Sequence, residues 1–313
     1  MPSFQSHLTS RILALISSGC TLLFLGWICP CVGFSISNQT TERPLTLAVL
    51  DFGDSNTGRL AAEKLASNLK NEAEISLLDR DQVRAAARGA GYAGSINLSL
   101  DEARNLGAVL GCDFFILGDA QTLRRSPSTG PVYFESYASI FVVSARTGRL
   151  IYWERPNLQG ATPAAAEQAL LSELSGFEAR HRPSLSIRRA REDERGEREL
   201  TTDQRIPIIE EAPDDDKSAA AEGLRLPRPY RRLIPAYPES AARAEAEATV
   251  DVLVDLDPRG DVTRVAVARW AGFGLDEATI DIVRQLHFFP AMRNGVAIPI
   301  RVLLRYNFRK PAK

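Results

Sequence analysis

Histidine, cysteine and paired carboxylates supply most nucleophiles, bases and metal ligands, and this chain sets few of them near one another. Beyond residue 34 it carries two histidines, His181 and His287, and one cysteine, Cys112. A single thiol and two distant imidazoles make neither a nucleophile–base pair nor a His-rich metal set. His181 falls at a predicted helix end, where the helix dipole suits an imidazolium. His287 lies in the apolar junction LHFFPAMRNG, residues 286–295. Asp255 and Asp257 read as wet-face residues of a predicted strand, and Asp214, Asp215 and Asp216 as a solvated acidic run. Gly89–Gly94 matches G-x-G-x-x-G, but a dinucleotide site needs that motif directly after a strand and opening a helix. Here it follows a helix and leads into a loop. Cys112 beside Gly111 reads as a small core residue. The sequence therefore predicts no catalytic residue, no cofactor, no metal, and no enzyme. The chemistry left is that of the main chain itself.

The elements that could present such a main chain follow from composition and periodicity. The chain has 313 residues, 44% hydrophobic and 25% charged, with net charge −1, which gives no electrostatic case for nucleic acid. From Ile12 to Phe34 no residue is charged. At ~1.5 Å per residue this run makes a helix of roughly 34 Å, enough to cross a bilayer. Residues 1–37 are thus a transmembrane anchor or a signal segment, with Arg11 favouring export of the chain beyond the run. Cys20, Cys29 and Cys31 fall inside the run, so no disulfide framework is expected beyond it.

Residues 44–182 alternate strand and helix signals. Leu45–Phe52 and Glu74–Leu78 read as strands, and Ser99-Leu100-Asp101-Glu102 as a capping box. Gly111 is placed to end that helix. Phe114–Leu117, Tyr133–Val143 and Leu150–Trp153 read as strands, the last two joined around Arg146-Thr147-Gly148. Thr162 to His181 reads as one amphipathic helix. The order LAVLDF, LLDRDQV, A-x-x-x-x-L-G-A-x-x-x-x-x-D-F-F-I-L-G and A-R-T-G-R-L resembles the periplasmic CsgG/TolB-N-terminal-like family. The likeness rests on Asp51, Phe52, Asp79, Arg80, Leu106, Gly107, Gly111, Asp113, Gly118 and Gly148. Residues 183–227 mix charges densely, lack aromatics until the next module, and read as a disordered linker.

Residues 228–313 restore order. Thr249–Asp257 alternates with Val250, Val252, Val254 and Leu256 on one face. Residues 257–261 supply turn chemistry, Val262–Trp270 returns, and Gly274 opens a helix burying Leu275, Ala278, Ile282, Val283 and Leu286. Pro290 stops helical geometry, Asn294-Gly295 turns the chain, and a long strand follows. On it Ile298, Ile300, Val302, Leu304, Tyr306 and Phe308 share one face. Arg301, Arg305, Asn307 and Arg309 lie mostly on the other. The motifs "YP-x-x-A", "V-x-V-x-x-D-x-x-G-x-V", "G-x-x-L-D-x-A" and "F-x-P-A-x-x-x-G" resemble the C-terminal domain of the TonB energy-transducer family. Tyr237, Pro238, Gly260, Leu275, Asp276, Phe288 or Phe289, Pro290, Ala291 and Gly295 carry the likeness.

The expected fold is α+β: a membrane helix, an α/β CsgG/TolB-N-like domain, a disordered charged linker and a small three-stranded β/α domain. The TonB resemblance implies a single-pass inner-membrane protein with its bulk in the periplasm. Such a protein binds an outer-membrane transporter by strand addition and receives energy from an ExbB–ExbD-type motor. Ile300, Arg301, Val302, Leu303, Arg305, Tyr306 and Asn307 are the expected partner-binding residues. The apolar run lacks the histidine usual in motor-driven members, so a non-energised envelope scaffold using the same two domains stands as the alternative.

Overall fold

The computed structural model describes residues 43–72, 74–201, 209–213 and 215–310. The expected membrane segment, its three cysteines and part of the expected linker lie outside these residues. Among the described residues no helix is long and apolar enough to cross a membrane.

The chain is a mixed α+β structure. Its first part runs β1 (Leu45–Val49), α1 (Asn56–Leu69), β2 (Ile75–Leu77), α2 (Arg80–Gly89), α3 (Leu100–Leu110), β3 (Phe114–Arg125), β4 (Tyr133–Ser144), β5 (Leu150–Glu154) and β6 (Asn157–Gly160). Then come α4 (Pro163–Ser175), α5 (Phe177–His181) and α6 (Pro183–Thr201). The strands form one sheet of order β2-β1-β3-β4-β5 with β6 on β4, parallel around β1 and antiparallel beyond β3. Sequence signals account for its helix ends. Ser99 and Glu102 exchange both bonds of a capping box, and Gly111 closes α3 in the left-handed conformation. The expected helix from Thr162 to His181 is instead two, broken at Gly176.

The second part runs α7 (Asp216–Ala221), β7 (Leu224–Arg225), β8 (Arg228–Pro229), α8 (Glu239–Ala244), β9 (Ala248–Leu256), β10 (Val262–Arg269) and α9 (Leu275–Val283). It ends with β11 (Phe288–Phe289), β12 (Ala291–Arg293), β13 (Val296–Ile298) and β14 (Ile300–Phe308). The main sheet is antiparallel, in the order β10-β9-β14. Gly260 (φ +87°) forms the β9–β10 turn, and a Cβ there would lie 1.9 Å from the Phe288 carbonyl oxygen, so only glycine fits. Asn294 and Gly295 both have positive φ and join β12 to β13 as a two-residue hairpin. The expected single long strand after Gly295 is two strands with different partners, divided at Pro299.

The described residues of the expected linker are ordered rather than disordered. Ile187 and Ala190 of α6 are buried against the first sheet, while Glu194 accepts from Ser144 Oγ and from Arg146 Nε at 2.7 Å. Residues 209–227 lie on the second part, with Ala219 and Leu224 buried. A low apolar content predicted disorder, but charges that find partners and a few buried apolar residues suffice for order here.

Residues 43–313 form one compact unit, because alternate residues of the first sheet feed two cores. Val49, Ile116 and Val142 pack under α1, α4, α5 and α6, whereas Leu50, Leu117 and Phe141 join a core continuous with β9, β14 and Trp270. Phe141 stacks on Trp270 at 5.9 Å and meets Phe273 edge-on at 5.5 Å. Trp270 Nε1 donates to the Gly148 carbonyl at 3.0 Å. Asn97 bonds three main-chain groups, donating to the Thr249 and Trp270 carbonyls and accepting from Thr249 N. Phe273 holds φ +56°, a strained value for a bulky residue, and is clamped between Phe141 and Trp153.

Candidate functional site

β14 is the last strand of its sheet and pairs with β9 from Ile300 to Phe308 without a register shift. Its alternation sends Ile300, Val302, Leu304, Tyr306 and Phe308 toward the core and Arg301, Leu303, Arg305 and Asn307 to the other face. The direction of its main-chain groups follows from one residue. Arg301 N donates to the Glu210 carbonyl and the Arg301 carbonyl accepts from Ala212 N, both at 2.8 Å. In an antiparallel pair a residue's N–H and C=O point the same way and alternate along the strand. The outward groups therefore belong to Arg301, Leu303, Arg305 and Asn307. Residues 210–212 occupy those of Arg301. Among the described residues, the outward groups of Leu303, Arg305 and Asn307 have no main-chain partner.

A groove of about 470 Å³ runs beside this open stretch, lined by Leu233, Ile234, Pro235, Leu304, Tyr306 and Phe308 among others. Ile234 is 80% exposed at its rim. An added strand would drop alternate side chains into the groove while its main chain met β14.

The arginines differ from expectation. Arg301 grips Asp255 through Nε and Nη2 (2.6 and 3.0 Å), and Arg305 grips Asp251 likewise (2.7 and 3.0 Å). Donating these hydrogen bonds to the two carboxylates raises both guanidinium pKa values. Asp251 and Asp255 are buried beneath the two guanidinium groups, so Asp255 is not the solvated wet-face residue that alternation implied. Two of the three arginines on the strand's outer face are thus engaged within the sheet. Arg309 alone of the three has no acidic partner among the described residues.

The family-motif residues serve the frame. Tyr237 Oη donates to the Ala246 carbonyl at 2.7 Å, Pro238 precedes α8, and Ala241 is fully buried. Leu275 and Ala291 are core residues, and Asp276 accepts from Ala271 N and Gly272 N at 2.9 and 2.7 Å. Burial nevertheless pushes the Asp276 carboxyl up to about 6. Of the two phenylalanines before Pro290, Phe288 is buried and Phe289 is 57% exposed against Tyr230. Successive strand residues face opposite ways, so Phe288 rather than Phe289 fills the motif's core position. In α9 the fully buried set is Leu275, Thr279 and Val283, while Ala278 and Ile282 are only half-buried.

In the first part, Asp79 caps α2, and Asp51 takes Arg80 and Arg84, the latter through Nε at 2.7 Å. Burial works against the Asp51 charge, but the bonds and charges of Arg84 and Arg80 outweigh it and hold its pKa below the ordinary value. His181 lies against Phe177 and Glu173, whereas His287 faces Asp261 at 3.2 Å. Burial raises the Cys112 thiol to about 12, which suppresses thiolate chemistry. Gly89–Gly94 follows α2 and opens no helix. Among the described residues no cluster of His, Cys, Asp or Glu could hold a metal ion.

The sequence reading missed Asp251, Ile234 and residues 210–212. The stretch IPIIEEAP, residues 206–213, carries a signal for the last of these: β-branched residues and two glutamates between Pro207 and Pro213.

Residues 234–309 match the family model of the Gram-negative bacterial TonB protein C-terminal domain. No curated protein sequence matches the chain. Among solved structures, lipoprotein GNA1162 from Neisseria meningitidis is 14% identical, covering 45% of this chain and 99% of its own, with TM-score 0.32. The hypothetical protein CT253 from Chlamydia trachomatis is 13% identical over 43% of this chain and 97% of its own, with TM-score 0.30. The LpoB C-terminal domain from Salmonella enterica is 16% identical over 39% of this chain and 87% of its own, with TM-score 0.27. At such scores these likenesses carry no argument about function.

Proposed function

We propose that this chain is a periplasmic envelope protein that holds an extended segment of an outer-membrane transporter, or of another envelope protein, by strand addition to β14. It acts as a binding protein, not an enzyme. The observation that carries the reading is the row of outward main-chain groups on Leu303, Arg305 and Asn307 beside a groove lined by apolar side chains and arginines. Main-chain bonds supply the affinity and the groove supplies selectivity. The TonB C-terminal match over residues 234–309 supports a partner of this kind. Residues 12–34 anchor it in the inner membrane in this reading, and an ExbB–ExbD-type motor drives it.

One observation favours the alternative, a non-energised scaffold. The described residues of the charged stretch after residue 182 pack onto the two parts, whose core is shared, and do not form an extended spacer. The roughly ten residues between the apolar run and β1 span at most about 35 Å. Binding of a transporter-derived peptide to the full chain, followed by amide exchange, tests the docking reading. Slowed exchange at Leu303, Arg305 and Asn307 is expected. Protection confined to β10, the opposite edge, would refute it.

A further inference from the structure

We infer that residues 209–212 are a built-in stand-in for the partner strand, so that the β14 edge selects acidic extended segments running parallel to it. The inference rests on the docking reading and names its ligand class.

Three features of the contact point this way. The first is direction: the bridge between Glu211 and Arg301 is parallel, with two 2.8 Å main-chain bonds, one to Arg301 N and one from its carbonyl. The second is charge. Glu210 meets Arg293 through both Nη atoms, one of them at 2.8 Å, and Glu211 lies 3.8 Å from Arg301 Nη1. Successive side chains of an extended segment point to opposite faces. Two adjacent glutamates therefore read a cation on each side of the edge, Arg293 on one and Arg301 on the other. The third is that, among the described residues, Glu210 is the one carboxylate to which Arg293 donates hydrogen bonds, and its buried Nε has no partner. Its nearest other carboxylate is that of Glu222, at 3.8 Å.

The chain then passes Pro213, and Asp215 caps α7. Among the described residues only the first outward position of β14 is thus covered, and Leu303, Arg305 and Asn307 are open there to a longer strand of the same polarity. A tethered segment competes at the high effective concentration of an intramolecular ligand. The apparent affinity for a partner falls by the fraction of molecules in which Arg301 is free.

The test uses the full chain and two labelled peptides, IPIIEEAPDD (this chain's residues 206–215) and IPIIQQAPDD, read by fluorescence polarisation. Ala212→Pro removes one main-chain donor without changing charge, and Glu210→Ala with Glu211→Ala removes both carboxylates. Circular dichroism confirms the fold of each, and either variant alone suffices. The expected result is a roughly 5–30-fold gain in affinity for the acidic peptide over wild type, the worth of one or two kcal/mol. The glutamine peptide gains less. Equal binding of both peptides, or no gain in a folded variant, overturns the inference. If a transporter-derived peptide still protects Leu303 while the acidic peptide shows no preference, the docking reading stands and this one falls. If no peptide binds either protein, both fall.

Discussion

At the residue scale, the two arginine–aspartate forks decide what β14 presents to solvent. Breaking a buried pair from one side leaves an uncompensated charge, which costs more than the pair contributed. Asp255 is only 3% exposed, and among the described residues Arg301 is its sole close cation, so Arg301→Ala should destabilise the fold by about 2–4 kcal/mol. Asp251 keeps Arg269 at 3.5 Å, and Arg305 is itself well exposed, so Arg305→Ala should cost clearly less. Urea denaturation of both variants checks the order. Asp276 gives a pH signature. Its carboxyl is raised from 3.8 to about 6, so its share of stability is full below pH 4 and is lost as pH rises through 6. The wild type should weaken across pH 4–6 by about 1–3 kcal/mol more than Asp276→Asn, measured as the difference in unfolding free energy at the two pH values. The alternation of β14 was legible in sequence, but its partners were not. Asp255 and Asp251 stand 46 and 54 residues away from Arg301 and Arg305, and a polar residue on an alternating strand reads as solvated until a cation is placed over it.

At the element scale, β14 offers a sharp contrast between neighbours. Leu303 N points outward and Leu304 N points into the β9 ladder. A proline at Leu303 removes a donor the fold does not use, whereas one at Leu304 removes a ladder bond. Leu303→Pro should therefore stay folded by circular dichroism and lose peptide binding, while Leu304→Pro should lose stability first. Undiminished binding by folded Leu303→Pro would exclude this edge. The elements with strong local chemistry were readable: the capping box at Ser99, the left-handed end at Gly111 and the turn at Asn294-Gly295. Those set by distant contacts were not. The charged stretch after residue 182 becomes helix because Glu194 finds Ser144 and Arg146, and Ile187 finds the core, about 50 residues back along the chain. Local hydropathy carries no trace of such pairings.

At the scale of the whole molecule, the aromatic joint ties the first sheet to the second. The motifs of the TonB-like part were visible in sequence, yet nothing there announced that Phe141 of the first sheet would stack on Trp270. A fully buried tryptophan truncated to alanine costs about 3–5 kcal/mol, and here the loss falls on the joint itself. Wild type should unfold in a single transition by near- and far-ultraviolet circular dichroism, and Trp270→Ala should separate it into two. Two transitions in the wild type would mean the modules are independent. Cooperativity also fixes where β14 sits on the body, with its open stretch facing away from β9 and beside the Ile234 groove. Docking at β14 stands or falls on what meets that stretch in a living envelope. A photo-crosslinking side chain placed at Leu303, at Asn307 and, as a control, at Arg264 on the opposite edge strand would decide it. Strand addition at β14 predicts that positions 303 and 307 capture the same outer-membrane protein and that position 264 does not. Capture at 264 with none at 303 or 307 would contradict it.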